Sequence, residues 1–254
     1  MVPRQSNVTG ASLDEMRHRA SPEVADDNLL TTLSSLESAV NYRNWLLHLS
    51  SAFMAGPVLE VGAGRGTFTP FLAKSGAVTA LEPSERMAEL LKSAVAAVPQ
   101  VSIVVGELSD VPPAPVHGSA VMFNVLEHIE NDGEALRQIY DRLVPGGHLV
   151  IWVPAFQLLY SDFDRRIGHH RRYRLRPLRS LVQQSGYEVV QSSYANAPGW
   201  VSWLLFCRLF RATPTDGAAP RIYDRYAVPV IRRIESVIRP PFGQSVFLVA
   251  RKPL

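Results

Sequence analysis

The sequence predicts an α/β protein built on a mostly parallel sheet with helices on both faces. Three observations carry this. Short apolar runs recur through residues 58–153 and alternate with stretches of helical spacing. The runs are continuous, without the polar alternation of a half-exposed strand, as expected where helices cover both faces. The first run also passes directly into a glycine-rich turn and then a helical pattern, the start of a strand–turn–helix unit.

Taken in order, residues 1–25 are polar, charged and broken by Pro3 and Pro22, and read as a flexible arm. Helical spacing follows over 26–50, with Leu29, Leu30, Leu33, Leu36, Val40, Trp45, Leu46 and Leu49. Strands are expected at 58–61, 77–81, 101–105, 120–125 and 148–153, with helices at 68–74, 84–97 and 132–143. A basic segment, 162–179, carries seven arginines. A helix at 178–184 stops at Gly186, and a strand follows at 187–194. An aromatic, apolar stretch occupies 198–210, a Pro/Gly/Ala loop 213–220, a helix 222–238 and a last strand 246–250. The main domain is thus expected over 26–254. Its core comprises 54–155, 178–195 and 245–254, and cap elements lie at 26–50 and 156–241.

Composition narrows the function. With 46% hydrophobic and 19% charged residues, the chain has ample apolar surface for a core. A net charge of +3 is too mild to indicate nucleic-acid binding, and no aromatic stacking platform is interleaved with the basic residues. One cysteine, Cys207, excludes an internal disulfide framework and any multi-cysteine metal site. Residues 1–10 carry no hydrophobic leader, and the longest apolar run, 197–210, is too short to span a bilayer and contains Arg208. The expectation is a soluble, cytoplasmic protein.

The segment Pro57-Val58-Leu59-Glu60-Val61-Gly62-Ala63-Gly64-Arg65-Gly66-Thr67 is the most informative. Its glycines allow a tight turn and let a ligand approach the backbone. A dinucleotide fingerprint is G-x-G-x-x-G; here the third glycine, Gly66, comes one residue early. A phosphate P-loop is excluded, because no Gly-Lys-Ser/Thr follows. Glu60 is poorly suited to a phosphate and well suited to an ammonium or sulfonium charge. The second piece is Ala80-Leu81-Glu82-Pro83. Glu82 lies 16 residues beyond Gly66, at the end of the next strand, where a carboxylate can accept hydrogen bonds from both ribose hydroxyls.

These pieces, with Asn124-Val125-Leu126-Glu127-His128-Ile129 and Leu143-Val144-Pro145-Gly146-Gly147-His148-Leu149, resemble class I S-adenosylmethionine-dependent methyltransferases, in particular the small-molecule branch with the ubiquinone and sterol enzymes. The resemblance covers about residues 42–153. It implies a Rossmann-like, seven-stranded, mostly parallel sheet with the last strand antiparallel and a helical cap. It also implies S-adenosylmethionine as cofactor and transfer to a hydroxyl of a small-molecule acceptor, of natural-product, sugar or lipid-like type; transfer to nitrogen or carbon, and a non-catalytic cofactor-binding partner protein, are the alternatives. Glu60, Gly62, Gly64 and Gly66 would line the methionine part of the cofactor. Glu82, followed by Pro83, would hold the ribose, and Met87 would pack near the adenine side. Glu107 and Leu108 would sit at the adenine, Asn124 and Val125 would face the cofactor, and Tyr42 would close over the methionine carboxylate. Many relatives carry aspartate in place of Glu107, which weakens that assignment.

Transfer to oxygen requires removal of a proton, work suited to histidine. His169 or His170 is expected as base, with Tyr173 as orienter, because their segment follows the fifth strand and emerges at the carboxyl edge of the sheet. His128 is the competitor; it reads equally as a cofactor-loop or capping residue. The surrounding arginines suggest an acidic acceptor or an anionic surface, unless Asp162 and Asp164 pair with them. Asp162, Asp164, His169 and His170 have metal-ligand chemistry, but nothing fixes a ligand geometry and no metal is expected. The 198–211 stretch reads as a buried helix or dimer contact, as an acceptor-pocket wall, or as a membrane-surface element with Arg208 and Arg211 at the headgroups.

Overall fold

The computed structural model describes residues 39–205 and 218–254. The arm expected at 1–25, the cap helix through residue 38, and the 206–217 segment with Cys207, Arg208 and Arg211 lie outside the described residues.

Seven strands form one sheet: β1 Val58–Val61, β2 Val78–Glu82, β3 Val101–Val105, β4 His117–Phe123, β5 Leu143–Pro154, β6 Glu188–Ala195 and β7 Ser245–Arg251. Their order is β3-β2-β1-β4-β5-β7-β6. The pairs among β1 to β5 are all parallel, and β7 runs antiparallel between β5 and β6. The expected Rossmann-like sheet with an antiparallel last strand is therefore present. The chain winds outward from β1 to β3, then returns to place β4 on the other side of β1. That reversal opens a crevice at the carboxyl ends of β1 and β4, where ligands bind in sheets of this kind.

The helices are α1 Val40–Ser50, α2 Thr69–Leu72, α3 Glu85–Ala94, α4 Asp132–Arg142, α5 Asp162–Arg166, α6 Leu175–Gln184, α7 Ala197–Trp203, α8 Ala218–Ile222 and α9 Val228–Glu235. Alternation along the strands divides the core into two layers. Leu59 and Val61 of β1, with Ile151 and Val153 of β5, pack with Leu136 and Ile139 of α4 and Leu178 and Val182 of α6. Val58 and Trp152 point the other way, onto Trp45 and Leu46 of α1, Leu91 of α3 and Val228 and Ile231 of α9. Each such fully buried side chain contributes about 1.5–3 kcal/mol. Among the described residues no helix is long and apolar enough to cross a membrane.

Two elements depart from expectation for identifiable reasons. β5 begins at Leu143, not at 148, and runs through Gly146-Gly147. Those glycines read as a turn, but they are paired: Gly146 N donates to Lys252 O at 2.9 Å and Lys252 N to Gly147 O at 2.8 Å. The helix expected over 222–238 is broken into α8, a π-helical turn Tyr223–Ala227 and α9. Pro229 stands in the first turn of α9 and lacks the N–H that a continuous helix would need there.

Candidate active site

The carboxyl ends of β1 to β5 open into a crevice of about 1200 Å3. Its floor at one end is the glycine turn. Gly62 has φ +70°, and a Cβ there would stand 2.5 Å from Val125 Cγ2, so only glycine lets β1 turn beneath the β4 end. Gly66 faces away from the crevice: a Cβ on it would stand 3.0 Å from Leu91 Cδ1, which sets how closely α3 packs. Glu82 ends β2 and spans the turn. Its Oε2 accepts a hydrogen bond from Gly64 N at 2.7 Å and its Oε1 one from Ser84 N at 3.0 Å. Ser84 also caps α3, which starts that helix directly behind the carboxylate.

Tyr42, Gly62, Gly64, Glu82, Pro83, Glu107, Leu108, Asn124 and Val125 all line this crevice, as do His128, His169 and His170. The structure thus brings together residues from positions 42 to 170. Glu60, Gly66, Met87 and Tyr173 are not on the crevice wall. Glu60 alternates away from Val61 into the layer under the turn. It is 3% exposed, and burial, with the charge of Glu82 nearby, raises its carboxyl to about 8. Met87 is wholly buried in α3.

Tyr42 roofs the crevice. Its hydroxyl accepts from Trp152 Nε1 at 2.8 Å and burial raises its pKa to about 12. Asp224, in the π-helical turn, fixes the start of α1. Asp224 Oδ1 accepts from Tyr42 N at 2.8 Å and Oδ2 from Asn41 N at 3.1 Å. From α7, Gly199, Ser202 and Trp203 complete the wall, whereas Val201 and Leu205 are exposed and Trp200 packs on Phe156 and Phe242.

The opposite end of the crevice holds a compact polar cluster. Asp164 is its anchor, wholly buried. Its Oδ2 accepts from Ser161 N and Oγ, closing a capping box on α5. Its Oδ1 accepts from Arg172 Nε and from His169 Nδ1, both at 2.8 Å, and Oδ2 accepts from Arg172 Nη2 at 3.0 Å. Burial alone would raise the Asp164 carboxyl, but the His169 hydrogen bond and the Arg172 guanidinium outweigh it and hold the group at about 2. His169 is thereby fixed, and burial lowers its pKa. The His128 ring meets it edge to face at 4.6 Å, and burial, with the charges of His169 and His170, lowers His128 to about 3. Glu127 is wholly buried beside them; burial raises its carboxyl to about 8, and neither oxygen has a hydrogen-bond partner. His170, exposed at the rim, is held through its backbone N–H on Glu127 O at 2.8 Å.

Tyr173 does not orient the histidines. Its hydroxyl donates to Asp132 Oδ2 at 2.9 Å, beside Leu126 O at 3.1 Å, and Asp164 holds the imidazole in its place. The arginines are also otherwise engaged. Arg165 pairs with Asp162, Arg171 with Asp132 and Arg172 with Asp164. Of the seven, only Arg172 lines the crevice, whose remaining charged walls are Glu82, Glu107, Glu127, Glu130, Glu134 and Asp224. The surface offered to an acceptor is therefore acidic, contrary to the inference from the arginine count. Glu127, Asp164 and Asp224 were not singled out in these roles from the sequence. The Ser161-x-x-Asp164 spacing was a capping signal that could have found one of them.

A methyltransferase domain family model matches residues 16–192. The chain belongs to this methyltransferase domain family. The match does not select the ubiquinone or sterol branch. Among solved structures, the fold is similar to Burkholderia thailandensis 1,6-didemethyltoxoflavin-N1-methyltransferase with bound 1,6-didemethyltoxoflavin and S-adenosylhomocysteine. The TM-score is 0.60 at 18% identity, over 98% of this chain and 94% of that one. It is also similar to Haemonchus contortus phosphoethanolamine N-methyltransferase 2 in complex with S-adenosyl-L-methionine, with TM-score 0.58 and 17% identity. That match covers 83% of this chain but only 53% of the worm protein. A curated relative, an uncharacterized 37.1 kDa protein in transposon TN4556 of Streptomyces fradiae, is 28% identical over 142 residues. The match spans 53% of this chain and 40% of that protein's length.

The crevice residues suit the family's cofactor. The turn at Gly62 presents bare backbone, and Glu82 beside it supplies a carboxylate wall. The buried Glu60 beneath has one oxygen, Oε2, with no hydrogen-bond partner. The Glu82 wall attracts a sulfonium and ammonium and repels a diphosphate, whereas Glu60, raised to about 8 by burial, adds a neutral hydrogen-bonding group.

Proposed function

We propose that the chain transfers the methyl group of S-adenosylmethionine to a hydroxyl oxygen of a small or medium organic acceptor, of sugar or natural-product character. The observation that supports this best is that one crevice carries two kinds of wall. One is a glycine turn walled by Glu82, and the other is a cluster of imidazoles around Glu127.

When bound, the cofactor supplies a methyl group on a positively charged sulfur. Glu82 accepts hydrogen bonds from the ribose hydroxyls, Glu107 and Leu108 border the adenine, and Tyr42 shields the methionine end. Tyr42, backed by Trp152, would keep that part of the crevice dry, which favours a displacement whose charge is being neutralised. Because both walls belong to one cavity, a donor and an acceptor bound there would be brought within reach of each other. His170 takes the acceptor proton: it is the exposed imidazole on the rim, whereas His128 and His169 are buried and lowered in basicity. The bound cofactor would supply the methyl group with its sulfur as leaving group, and His170 at the rim would pass the acceptor proton to solvent.

Calorimetry with S-adenosylmethionine and with NAD tests the donor; binding of NAD alone would overturn the reading. His170→Gln tests the base. The expected result is turnover lowered about 100-fold or more on a hydroxyl acceptor with donor affinity unchanged. Transfer to nitrogen is the second reading. It is favoured by Glu127, Glu130 and Glu134, which would hold an ammonium acceptor, and it predicts unchanged turnover in the same variant on an amine.

A further inference from the structure

We infer that Glu127, His128 and His169 form a site for one divalent transition-metal cation of the zinc type, at the acceptor end of the crevice. Each offers a ligand atom, and these atoms lie within 4.8 Å of one another, the one such group among the described residues. The Glu127 carboxylate lies in the crevice wall, is 0% exposed and has no hydrogen-bond partner on either oxygen. A buried carboxylate without a partner is costly, and a cation is the partner this geometry would accept.

The imidazoles are prepared in the way metal ligands are. His169 Nδ1 is engaged by Asp164 at 2.8 Å, so in the neutral ring Nε2 carries the lone pair. That Nε2 is 3.7 Å from Glu127 Oε1. The separation is long for a hydrogen bond and close to the spacing of two ligands about 2.0–2.2 Å from a shared tetrahedral ion. His128 is held by a hydrogen bond to the Gly168 backbone, and a Cβ on Gly168 would stand 3.7 Å from its Nδ1. One ring is thus backed by a carboxylate and the other by backbone. Asp164 is balanced by Arg172, so the Glu127 carboxyl is the buried acidic group left for the ion. Two nitrogens and one oxygen suit zinc and its neighbours over magnesium or calcium. Three protein ligands leave a position open toward the crevice, where an acceptor oxygen would be oriented. That role rests on the methyltransferase reading above; the site itself does not.

The test is titration of zinc chloride into chelator-treated full-length chain by calorimetry, with cobalt(II) absorption as a second readout. The expected result is one ion per chain, a cobalt spectrum of tetrahedral character, and affinity at least tenfold weaker in Glu127→Gln and in His128→Gln. Affinity in His48→Gln, a substitution at an exposed histidine on α1, should be unchanged. Absence of binding, equal affinity in all variants, or an octahedral cobalt spectrum in wild type would overturn the site. The wild-type spectrum decides the matter even if a variant fails to fold. S-adenosylmethionine binding is measured on the same metal-free chain. If the donor binds and zinc does not, the cation site falls and the functional reading stands; if zinc binds and the donor does not, the reverse holds.

Discussion

Replacing Asp164 by Asn should cost the fold more than any other single change at the acceptor end. The carboxylate is wholly buried and accepts five hydrogen bonds, two from Ser161, two from Arg172 and one from His169. Asparagine keeps one acceptor oxygen and turns an amide N–H2 toward donors on the other side. It also removes the negative charge from beside Arg172, whose side chain is 2% exposed. Breaking a buried pair by removing one partner costs about 3–5 kcal/mol, because the remaining charge stays desolvated. For a chain of 254 residues that corresponds to a melting temperature lower by roughly 6–20 °C. Urea unfolding is the assay, read as a lower midpoint at an unchanged slope. The double replacement Asp164→Leu with Arg172→Met should recover most of the loss, since neither partner is then left charged. A loss under about 1 kcal/mol in Asp164→Asn, or a double variant as unstable as the single, would refute the claim that this pair holds the cluster.

Glu82→Ala should weaken S-adenosylmethionine binding by about 1.5–3 kcal/mol, the size of a charge-assisted hydrogen bond, measured by calorimetry; unchanged affinity would exclude the ribose role. Glu60 gives a pH prediction. Burial raises its carboxyl from 4.5 to about 8, so it remains protonated in the fold where the unfolded chain has already lost the proton. The stability it contributes is full below pH 4.5 and is lost as pH rises through about 8. Glu60→Gln should therefore be the more stable form at pH 9 by on the order of a few kcal/mol, and close to wild type at pH 5, as read from melting curves.

The sheet was legible because its strands are unbroken apolar runs and because a glycine turn that meets Val125 tolerates no other residue. That Gly62, Gly64, Glu82, Glu107 and Asn124 would meet in one crevice was legible for the same reason: each comes from a single motif at one strand end. The acceptor end was not. Asp164 reads locally as a helix cap and gains its second task only when the chain brings back His169 and Arg172. Glu127 sits in a recognised motif, but its isolation depends on what fails to approach it. Tyr173 looked like an orienter by proximity in sequence, yet the turn after α5 sends its hydroxyl to Asp132. The same holds for the arginines: counted along the chain they suggest a basic pocket, and folded three of the seven are paired with aspartates and only Arg172 reaches the crevice.

The clasp between Asp224 and the first turn of α1 joins positions 183 apart. A nascent chain therefore owns the glycine turn and Glu82 long before it owns the aspartate that draws Tyr42 over them. The glycine turn is made early and the roof late, so a ribosome-bound intermediate can present an open cradle whose closure waits until residue 224 has been made.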